Sequence, residues 1–339
     1  MQEPKNNSQL TILGIESSCD DTSASIWSGG KICSNVVASQ QIHEEFGGVV
    51  PEWASRKHQQ NIVPTVKSAL KKANLTIADV DGIACTQGPG LMGSLLVGHS
   101  FTKGLALSAG IPYVNVDHID AHVLAHFIDG DIPKLPFLCL LVSGGHTQIV
   151  VVKDNYDIEI LGKTIDDAAG EAFDKAGKML NLPYPSGPII DKLAKEGDAH
   201  KFKFNRPNVD ALNFSFSGLK TSILYFLQKE TRRDKNFIEE NKSDLCASIQ
   251  HTIVSYLISK MSEAMDQTGI SQIGIAGGVA ANSALREEII ALAKKHNGVA
   301  YIPNFEYCTD NAAMIAYAGK VKLENKQYGT LNDVCFTRK

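Results

Sequence analysis

Two stretches of the chain read LTILGIESSCDDTSASIW (residues 10–27) and FLCLLVSGGHTQIVVV (residues 137–152). Each consists of an apolar run, a turn of small and hydroxyl residues, and a second apolar run, which predicts a β-hairpin. Two unrelated hairpins are one interpretation, but each is followed by further strand and helix patterns, and this recurrence favours two similar lobes. Their turns, residues 17–22 and 143–146, offer backbone amides and hydroxyls to an oxyanion. We therefore predict an α/β protein with two similar lobes that face one cleft, in which phosphate would lie between the turns.

The composition agrees with two lobes and excludes several classes of protein. At 339 residues, the chain exceeds the size at which one hydrophobic core usually keeps growing. No apolar run approaches the roughly 20 residues that span a bilayer, and the first ten residues lack the basic and apolar regions of a signal peptide. Seven cysteines without a Cys-x-x-Cys pair are typical of reduced thiols. We therefore expect a cytoplasmic protein without membrane contact.

The net charge bears on nucleic-acid binding. A value of -4 argues against a protein that holds nucleic acid through its overall electrostatic field. Scattered basic pairs such as those at residues 71–72 and 232–233 are more typical of solvated helix faces than of phosphate sites. We therefore expect any contact with RNA to be local or assisted by a partner.

Between and after the hairpins, the periodicity of apolar residues predicts several helices. Residues 51–73 begin with proline, which favours a first helical turn, and residues 94–109 follow the apolar run VDGIACT as part of a β-α-β unit. Further helices are predicted at residues 166–180 and 245–266. The charged stretch QKETRRDKNFIEENKSD at residues 228–244 is predicted to be a mobile surface loop.

A candidate metal site lies in the segment His118-Ile-Asp-Ala-His122, directly after a predicted strand. Two histidines at i and i+4 on a helix place their rings on one side, as a transition metal needs, although packing is the alternative role of such a pair. A third ligand is expected from Asp310 at the start of the closing helix, whose cap is predicted to be Thr309 or Asp310. These ligand types suit iron, zinc or manganese alike. Ile119 stands where His-Glu-x-x-His proteases have their catalytic glutamate, which disfavours peptide hydrolysis.

The segment Gly88-Pro-Gly90-Leu-Met-Gly93 is a literal G-x-G-x-x-G between a predicted strand and a predicted helix, and the next strand ends in Asp117. In dinucleotide-binding folds such glycines approach a pyrophosphate and the acid binds ribose, so a nicotinamide-dependent oxidoreductase is a rival hypothesis. Such a motif normally opens a domain, whereas this one follows a hairpin and a long helix, and its proline restricts the turn. Close packing between helix and strand is the alternative role of these glycines.

Several further residues have more than one interpretation from sequence alone. The segment GGVAAN at residues 277–282 follows a predicted strand and places small residues where a base or ribose can approach the backbone. Asp174 and Asp191 flank a Pro/Gly turn and are either acceptors for substrate hydroxyls or ordinary surface carboxylates. Asp20 and Asp21 in the first turn either bind a cation or orient a nucleophile, or they cap the turn.

Taken together, these segments resemble one family, the tRNA threonylcarbamoyladenosine transferases, which form the TsaD group of the actin-like and sugar-kinase superfamily. The resemblance covers nearly the whole chain in blocks that follow one another in order. Relatives were once described as glycoprotein endopeptidases, an activity that Ile119 disfavours. The blocks that carry the resemblance are GIESSCDDTSASI, GGVVPEWASRKH, TQGPGLMGSLLVG, VDHIDAH, LLVSGGHTQIV, TIDDAAGEAFDK, FSFSGLKT, GGVAAN and CTDNAAMIAYAG.

The resemblance implies an α/β fold of two ribonuclease H-like lobes, of the actin-like ATPase kind, around a central nucleotide cleft. The N-terminal lobe would comprise residues 1–135 plus 305–339 with the metal ligands, and the second lobe residues 136–304 with the substrate and nucleotide contacts. It implies transfer of threonylcarbamoyl from threonylcarbamoyl-AMP to the exocyclic amine of adenosine 37, in tRNAs that read codons beginning with A, with release of AMP. The implied cofactor is one divalent metal ion per subunit, Fe(2+) or else Zn(2+). The implied partners are tRNA and two helper proteins, an inactive paralogue (TsaB) and a small ATPase (TsaE). A non-catalytic ATP-binding partner of the same fold is the alternative, which the histidine pair disfavours.

Carried over position by position, the resemblance assigns the metal to His118, His122 and Asp310, and a catalytic role to Asp20. The positions that match the substrate contacts of the family are Leu141, Val142, Ser143, Gly144, Gly145, Asp174, Gly187, Asp191 and Asn282.

Two positions depart from the family pattern. Asp21 stands where many relatives have glutamate, which keeps the charge but shortens its reach. Ser186 stands where many have a second glycine, which alters the backbone fit at that turn. Because the donor is a mixed anhydride activated by its adenylate, the transfer requires no covalent nucleophile. We therefore expect Cys19, despite its place in the first turn, not to be catalytic.

Overall fold

A computed structural model describes residues 10–40, 43, 46–206 and 209–338 of the chain. The chain divides into two compact units, and each has its own sheet and its own buried core. The first unit comprises Met1–Ile132 and Asn304–Lys339, and the second comprises Pro133–Pro303.

The strands and helices are numbered in chain order. The strands are β1 Ile12–Glu16, β2 Thr22–Ser28, β3 Lys31–Ala38, β4 Gly82–Gly88, β5 Tyr113–Asp117, β6 Phe137–Val142, β7 Thr147–Val152, β8 Ile158–Lys163, β9 Gln272–Ala276 and β10 Val299–Tyr301. The helices are α1 Pro51–Lys72, α2 Met92–Ala109, α3 His118–Leu124, α4 Ala169–Met179, α5 Gly187–Ala194, α6 Ser217–Arg233, α7 Phe237–Glu240, α8 Lys242–Thr268, α9 Ser283–Lys295 and α10 Ala312–Glu324.

The two sheets have the same topology. In the first unit the strand order is β3-β2-β1-β4-β5, and in the second it is β8-β7-β6-β9-β10. In both, the first three strands form an antiparallel meander, and the last two join the sheet in parallel after helical connections. The predicted hairpins are therefore confirmed as β1-β2 and β6-β7. The opening strand of each is fully buried, as its near-continuous apolar sequence predicts.

Small residues let α10 lie close to the first sheet. Helix α10 packs on β1, β2 and β4. A side chain at Gly14 of β1 would collide with the backbone of Ala312 and with Ala316, and one at Gly319 would collide with Ala84. Ser23 of β2 accepts a hydrogen bond from the backbone N–H of Ala312 at 2.8 Å. These contacts fix the start of α10 next to the β1-β2 turn, and Asp310 precedes that start by two residues.

Most of the predicted helices are confirmed, with ends shifted by a few residues, but the mobile loop predicted at residues 228–244 is wrong. The segment is mostly helical: it contains the end of α6, all of α7 and the start of α8. Its charges lie on the exposed side of helices, while Leu227 and Leu245 are buried.

The predicted cap of the closing helix is also wrong, because Asn311 rather than Thr309 or Asp310 accepts the hydrogen bond from the backbone N–H of Met314.

Among the residues that the structure describes, no helix combines the length and the apolar character needed to cross a membrane.

Candidate functional site

The histidine pair is placed by the junction of β5 and α3. Strand β5 ends at Asp117, whose carboxylate accepts hydrogen bonds from the backbone N–H groups of Ile119 at 2.9 Å and Asp120 at 3.1 Å. This cap starts a helix directly at the end of the strand. His118 and His122 then lie one turn apart with ring centroids 4.7 Å from each other, and both are buried.

Asp310 reaches the same place from the start of α10. Its Oδ1 lies 3.2 Å from Nε2 of His122 and 3.4 Å from Nε2 of His118. The structure thus brings together three residues that are far apart in sequence, and all three belong to the first unit. Within the described residues they form a group in which one ligand atom from each lies within 4.8 Å of the others.

The geometry of this cluster fits a metal ion. Bonds of about 2.0–2.2 Å from nitrogen and oxygen to a divalent metal place neighbouring donors roughly 2.8–3.6 Å apart in octahedral or tetrahedral geometry. The distances from Asp310 to the two imidazoles, 3.2 Å and 3.4 Å, lie in that range. The Asp310 side chain keeps 28% of its surface exposed, which leaves an approach for an oxygen ligand from a substrate. Two imidazoles and one carboxylate do not select a single transition metal.

The electrostatics of the cluster favour a cation. Burial would raise the pKa of Asp310, but the charge of His118 and hydrogen bonds from both histidines outweigh burial and hold this pKa well below its usual range. Burial would lower the pKa of His118, but the charges of Asp310 and Glu16 raise it well above its usual value. Two carboxylates on opposite sides of one imidazole therefore create a strong preference for positive charge.

Glu16 is a part of the site that sequence reasoning missed. It is the last residue of β1, has no exposed surface, and places its Oε2 3.0 Å from Nδ1 of His118. The sequence signal was present as a charged residue at the end of an otherwise apolar strand, since buried charges are rare unless paired. Its partner, however, is 102 residues away, and the pairing becomes visible only in the folded sheet.

The first turn carries Cys19, Asp20 and Asp21, all partly exposed. The carbonyl of Cys19 accepts hydrogen bonds from His58 at 3.0 Å and from the Ser94 hydroxyl at 2.9 Å, which fix the backbone next to Asp20. Burial and then the charge of Asp20 raise the pKa of the Cys19 thiol far above its usual value, which disfavours the thiolate that a nucleophile requires. Burial, followed by the charge of Asp20, raises the pKa of Asp21 to about 6.

The turn of the second unit has a different surface. Ser143 closes it, with its N–H donating to the carbonyl of His146 at 2.8 Å and its hydroxyl accepting from the N–H of His146 at 3.1 Å. Gly144 and Gly145 are exposed, and a side chain added at either would meet no atom within 4 Å. Leu141 and Val142, the last residues of β6, are fully buried.

The remaining predicted substrate contacts lie around the starts of α5 and α9. Asp174 accepts a hydrogen bond from the N–H of Ser186 at 2.8 Å, and burial raises its pKa although backbone hydrogen bonds from Ser186 and Gly187 oppose the shift. Ser186 has φ -82° and ψ -23°, a conformation open to any residue, so glycine is not required there.

Asp191 and Asn282 lie at the start of α9, where Asp191 accepts from the hydroxyl of Ser283 at 2.8 Å. Asn282 caps α9 by accepting from the N–H of Leu285 at 3.0 Å, and its amide donates to Gln250 at 2.7 Å. The structure thus brings Asp174 next to Gly187, and Asp191 next to Asn282, within the second unit. Ser283 and Gln250 are contacts that the sequence did not indicate.

The glycines of the G-x-G-x-x-G segment have packing roles. Side chains added at Gly88 and Gly90 would collide with the backbone of Phe336 and of Ser18, and one at Gly93 would crowd Ser55. Asp117, the candidate ribose acid, is engaged as the cap of α3. These contacts favour packing between helix and strand as the role of the glycines and disfavour the nicotinamide hypothesis.

Comparison with known proteins decides the family. The family model for tRNA N6-adenosine threonylcarbamoyltransferase, TsaD, matches residues 31–317. The chain belongs to this family. The tRNA N6-adenosine threonylcarbamoyltransferase of Christiangramia forsetii is 56% identical over 326 residues, which cover 95% of this chain and 96% of that protein. The family predicted from the sequence is confirmed, and the chain is an acyltransferase of tRNA modification. The oxidoreductase and the non-catalytic alternatives are not favoured.

Solved structures with low sequence identity show the fold. Full-length HypF in its phosphate- and nucleotide-bound form matches with a TM-score of 0.60 and 12% identity over 95% of this chain and 47% of that chain. The ROK hexokinase of Thermus thermophilus matches with a TM-score of 0.51 and 14% identity over 94% of this chain and 99% of that chain. These matches confirm the predicted α/β architecture of two ribonuclease H-like, actin-like lobes. The family and the cluster together also support metal dependence.

Proposed function

We propose that the chain transfers the threonylcarbamoyl group from threonylcarbamoyl-AMP to the exocyclic amine of adenosine 37, in tRNAs that read codons beginning with A, and releases AMP. The observation that carries this proposal is the cluster of His118, His122 and Asp310 in a chain that belongs to the threonylcarbamoyltransferase family. In the reaction the amine forms a bond to the carbamoyl carbon, the bond from that carbon to the phosphate oxygen breaks, and the amine loses one proton.

His118, His122 and Asp310 would hold one divalent metal ion per subunit, which we propose to be Fe(2+), with Zn(2+) as the alternative. The three donors leave coordination positions open, and the partly exposed Asp310 marks the accessible side. When bound, such an ion supplies Lewis-acid polarisation of substrate oxygens. Because both histidines are buried, water would be excluded from their side of the site, which would strengthen electrostatic interactions with threonylcarbamoyl-AMP.

The lobe predicted at residues 136–304, which corresponds to the second unit, is proposed to bind the adenylate. Gly144 and Gly145 are exposed and have no side chain that would keep a phosphate away from their backbone N–H groups, and Ser143, half-buried, closes the turn and would contribute its hydroxyl. Asp174 and Asp191 each use part of their acceptor capacity within the protein, and a carboxylate retains lone pairs for a ribose hydroxyl.

The other proposed contacts of the second unit are backbone or helix-start positions. Gly187 begins α5 and offers a backbone without a side chain. Asn282 is held by Leu285 and Gln250, so its side chain is pre-oriented beside the nucleoside. Leu141 and Val142 complete the proposed set, and because both are fully buried at the end of β6, they would act by supporting the glycine turn that follows them.

Asp20 is the proposed catalytic carboxylate of the first unit, residues 1–135 plus 305–339. It lies in the turn whose backbone is fixed by His58 and Ser94, and it is partly exposed. A carboxylate held in this way can accept the proton that the amine loses as the new bond forms. Cys19 has no role in this scheme because the mixed anhydride needs no covalent intermediate.

The proposed partners follow from the same assignment. The net charge of -4 provides little long-range attraction for tRNA, so capture of tRNA is local or assisted. We propose an inactive paralogue (TsaB) and a small ATPase (TsaE) as helper proteins, and a cytoplasmic location, where tRNA is available.

The test is mass spectrometry of nucleosides from the tRNA of a strain depleted of this protein. Threonylcarbamoyladenosine should fall on depletion, return with the wild-type gene, and stay low with Asp310→Asn. Asp157→Asn, which changes an exposed carboxylate of the second unit, serves as the matched control and should restore the modification. Unchanged threonylcarbamoyladenosine in the depleted strain would contradict the proposal.

A further inference from the structure

We infer that Glu16 is a positioning residue of the metal centre, which fixes the ring of His118 so that Nε2 is presented as a ligand. The inference rests on the proposed metal centre. It concerns a residue that contacts His118 on the side opposite to Asp310 and that would not itself bind the ion.

The contacts of the Glu16 carboxylate are fully specified. Its Oε2 lies 3.0 Å from Nδ1 of His118 and accepts the hydroxyl hydrogen bond of Thr86 at 2.6 Å. Its Oε1 accepts from the backbone N–H of Ser18 at 2.5 Å. The carboxylate has no exposed surface, and a buried charge of this kind persists only with such a complete set of partners.

These contacts select one form of the His118 ring. An ionised carboxylate only accepts hydrogen bonds, so the nitrogen that faces it must carry the hydrogen. With the hydrogen on Nδ1, the lone pair lies on Nε2, the atom that faces Asp310 Oδ1 at 3.4 Å. The Ser18 hydroxyl, 3.2 Å from the same Nδ1, can accept as well and is compatible with this form. Glu16 therefore both aims the ring and places the lone pair on the metal side.

The second histidine lacks such support. Within the described residues, Nδ1 of His122 is buried without a hydrogen-bond partner, and Nε2 of this ring faces Asp310 Oδ1, a member of the ligand set, at 3.2 Å. Of the two imidazoles, His118 is thus the one that is aligned by a carboxylate outside the ligand set. Removal of the Glu16 charge would leave neither ring with a hydrogen bond to such a carboxylate.

Glu16→Gln separates positioning from support of the fold. The amide keeps the length of the side chain and an oxygen that can accept from the N–H of Ser18. Its NH₂ group would face Nδ1 of His118 and donate to it, which moves the ring hydrogen to Nε2 and blocks the ligand position. If Glu16 only stabilised the first turn, a folded Glu16→Gln variant would bind metal as the wild type does.

The experiment measures Zn(2+) binding to the purified full chain by competition with a chromophoric chelator, together with the visible absorption spectrum of the Co(2+)-loaded protein. Glu16→Gln should weaken Zn(2+) binding by about 10- to 100-fold, the usual cost of losing such a partner, and should change the Co(2+) spectrum. Glu52→Gln, an exposed carboxylate on α1 paired with Arg56, is the matched control and should behave as the wild type. Equal Zn(2+) affinity and an identical Co(2+) spectrum for Glu16→Gln would overturn the inference.

A second variant covers the case in which Glu16→Gln fails to fold. Thr86→Val keeps the carboxylate but removes the hydroxyl that holds Oε2, and should weaken Zn(2+) binding by about 5-fold, as expected for loss of one hydrogen bond. Wild-type affinity in this variant would then count against the positioning role. If the wild-type chain itself binds neither Zn(2+) nor Co(2+), the metal centre and the role of Glu16 both fall. If the wild type binds and Glu16→Gln binds equally, only the positioning role falls.

Discussion

The two units build the same sheet, but the first turn of each sheet has a different chemical character. In the first unit, the turn at residues 17–22 contains two aspartates and lies next to the buried Glu16. In the second unit, the corresponding turn at residues 143–146 contains no carboxylate and exposes two adjacent glycines. An acidic turn beside a histidine pair suits a cation, whereas a glycine turn with open backbone N–H groups suits an anion. The repeated topology thus supplies two corresponding turns, and we propose that their residues decide which charge each of them binds.

The largest effect on catalysis is expected from a substitution in the proposed metal site of the first unit. Asp310→Asn removes the anionic ligand and should lower kcat for threonylcarbamoyl transfer by about 100-fold or more, since metal polarisation contributes several kcal/mol and each 1.4 kcal/mol is about tenfold. The measurement is single-turnover transfer to tRNA by the purified enzyme with its helper proteins. Asp157→Asn should retain the wild-type rate, and an Asp310→Asn enzyme with full activity would contradict the proposed metal site.

Gly144→Ala tests whether the glycine turn of the second unit binds an anion, and its effect on catalysis is expected to be smaller. A methyl group at this position meets no protein atom within 4 Å, so the thermal midpoint should change by no more than about 1 °C. If a phosphate approaches the Gly144 backbone, the methyl group should raise KM for threonylcarbamoyl-AMP by about tenfold, roughly 1.4 kcal/mol of lost binding.

Gly170→Ala is the contrasting control, because a side chain there would collide with the backbone of Ser143. This variant should lose stability in a thermal melt, whereas Gly144→Ala should lose only affinity. An unchanged KM in Gly144→Ala would remove the second turn from the substrate site.

Asp21→Asn tests how the negative charge of Asp21, in the acidic turn of the first unit, affects the free energy of unfolding. Because the pKa of Asp21 is raised to about 6 from about 3.9 in an unfolded chain, the folded protein binds this proton more tightly. Its contribution to stability is full below about pH 4 and is lost as the pH rises towards 6. The neutral asparagine should therefore raise the free energy of unfolding near neutral pH by about 1–2 kcal/mol, after a discount for partial exposure, with little effect near pH 4. Denaturant unfolding at the two pH values measures this, and an equal effect at both would contradict the assignment.

Cys19→Ser should have the smallest effect. Burial and the neighbouring aspartate keep the thiol protonated, and the donor needs no covalent nucleophile, so kcat/KM should stay within about twofold of the wild type. The same transfer assay measures this. Complete loss of activity with a preserved thermal midpoint would show that the thiol takes part in the chemistry.

Local patterns predicted much of the fold. The hairpins, the helix that presents His118 and His122, and the helix after Asp310 follow from periodicity and small turn residues that act over a few positions. The charged segment at residues 228–244 was misjudged, because charge on the exposed face of an amphipathic helix has the same composition as a loop. The buried Leu227, in step with earlier apolar residues of α6, was the signal that the helix continues.

The site was predictable in part. The spacing of His118 and His122 indicated a metal, but the choice of Asp310 as third ligand came from the family resemblance as much as from its place before a helix. Glu16 was not predictable, because its pairing with His118 depends on the parallel arrangement of β1, β4 and β5, which brings their ends together. Long-range register of this kind is not encoded in any local pattern.

Whether His118, His122 and Asp310 hold a divalent metal ion can be measured by elemental analysis of the purified protein. We predict about one equivalent of a divalent transition metal in the wild-type chain and less than about 0.1 equivalent in a His118→Ala/His122→Ala variant that keeps its thermal midpoint without metal. Equal metal content in the two proteins, or a fully active wild-type enzyme without metal, would contradict it.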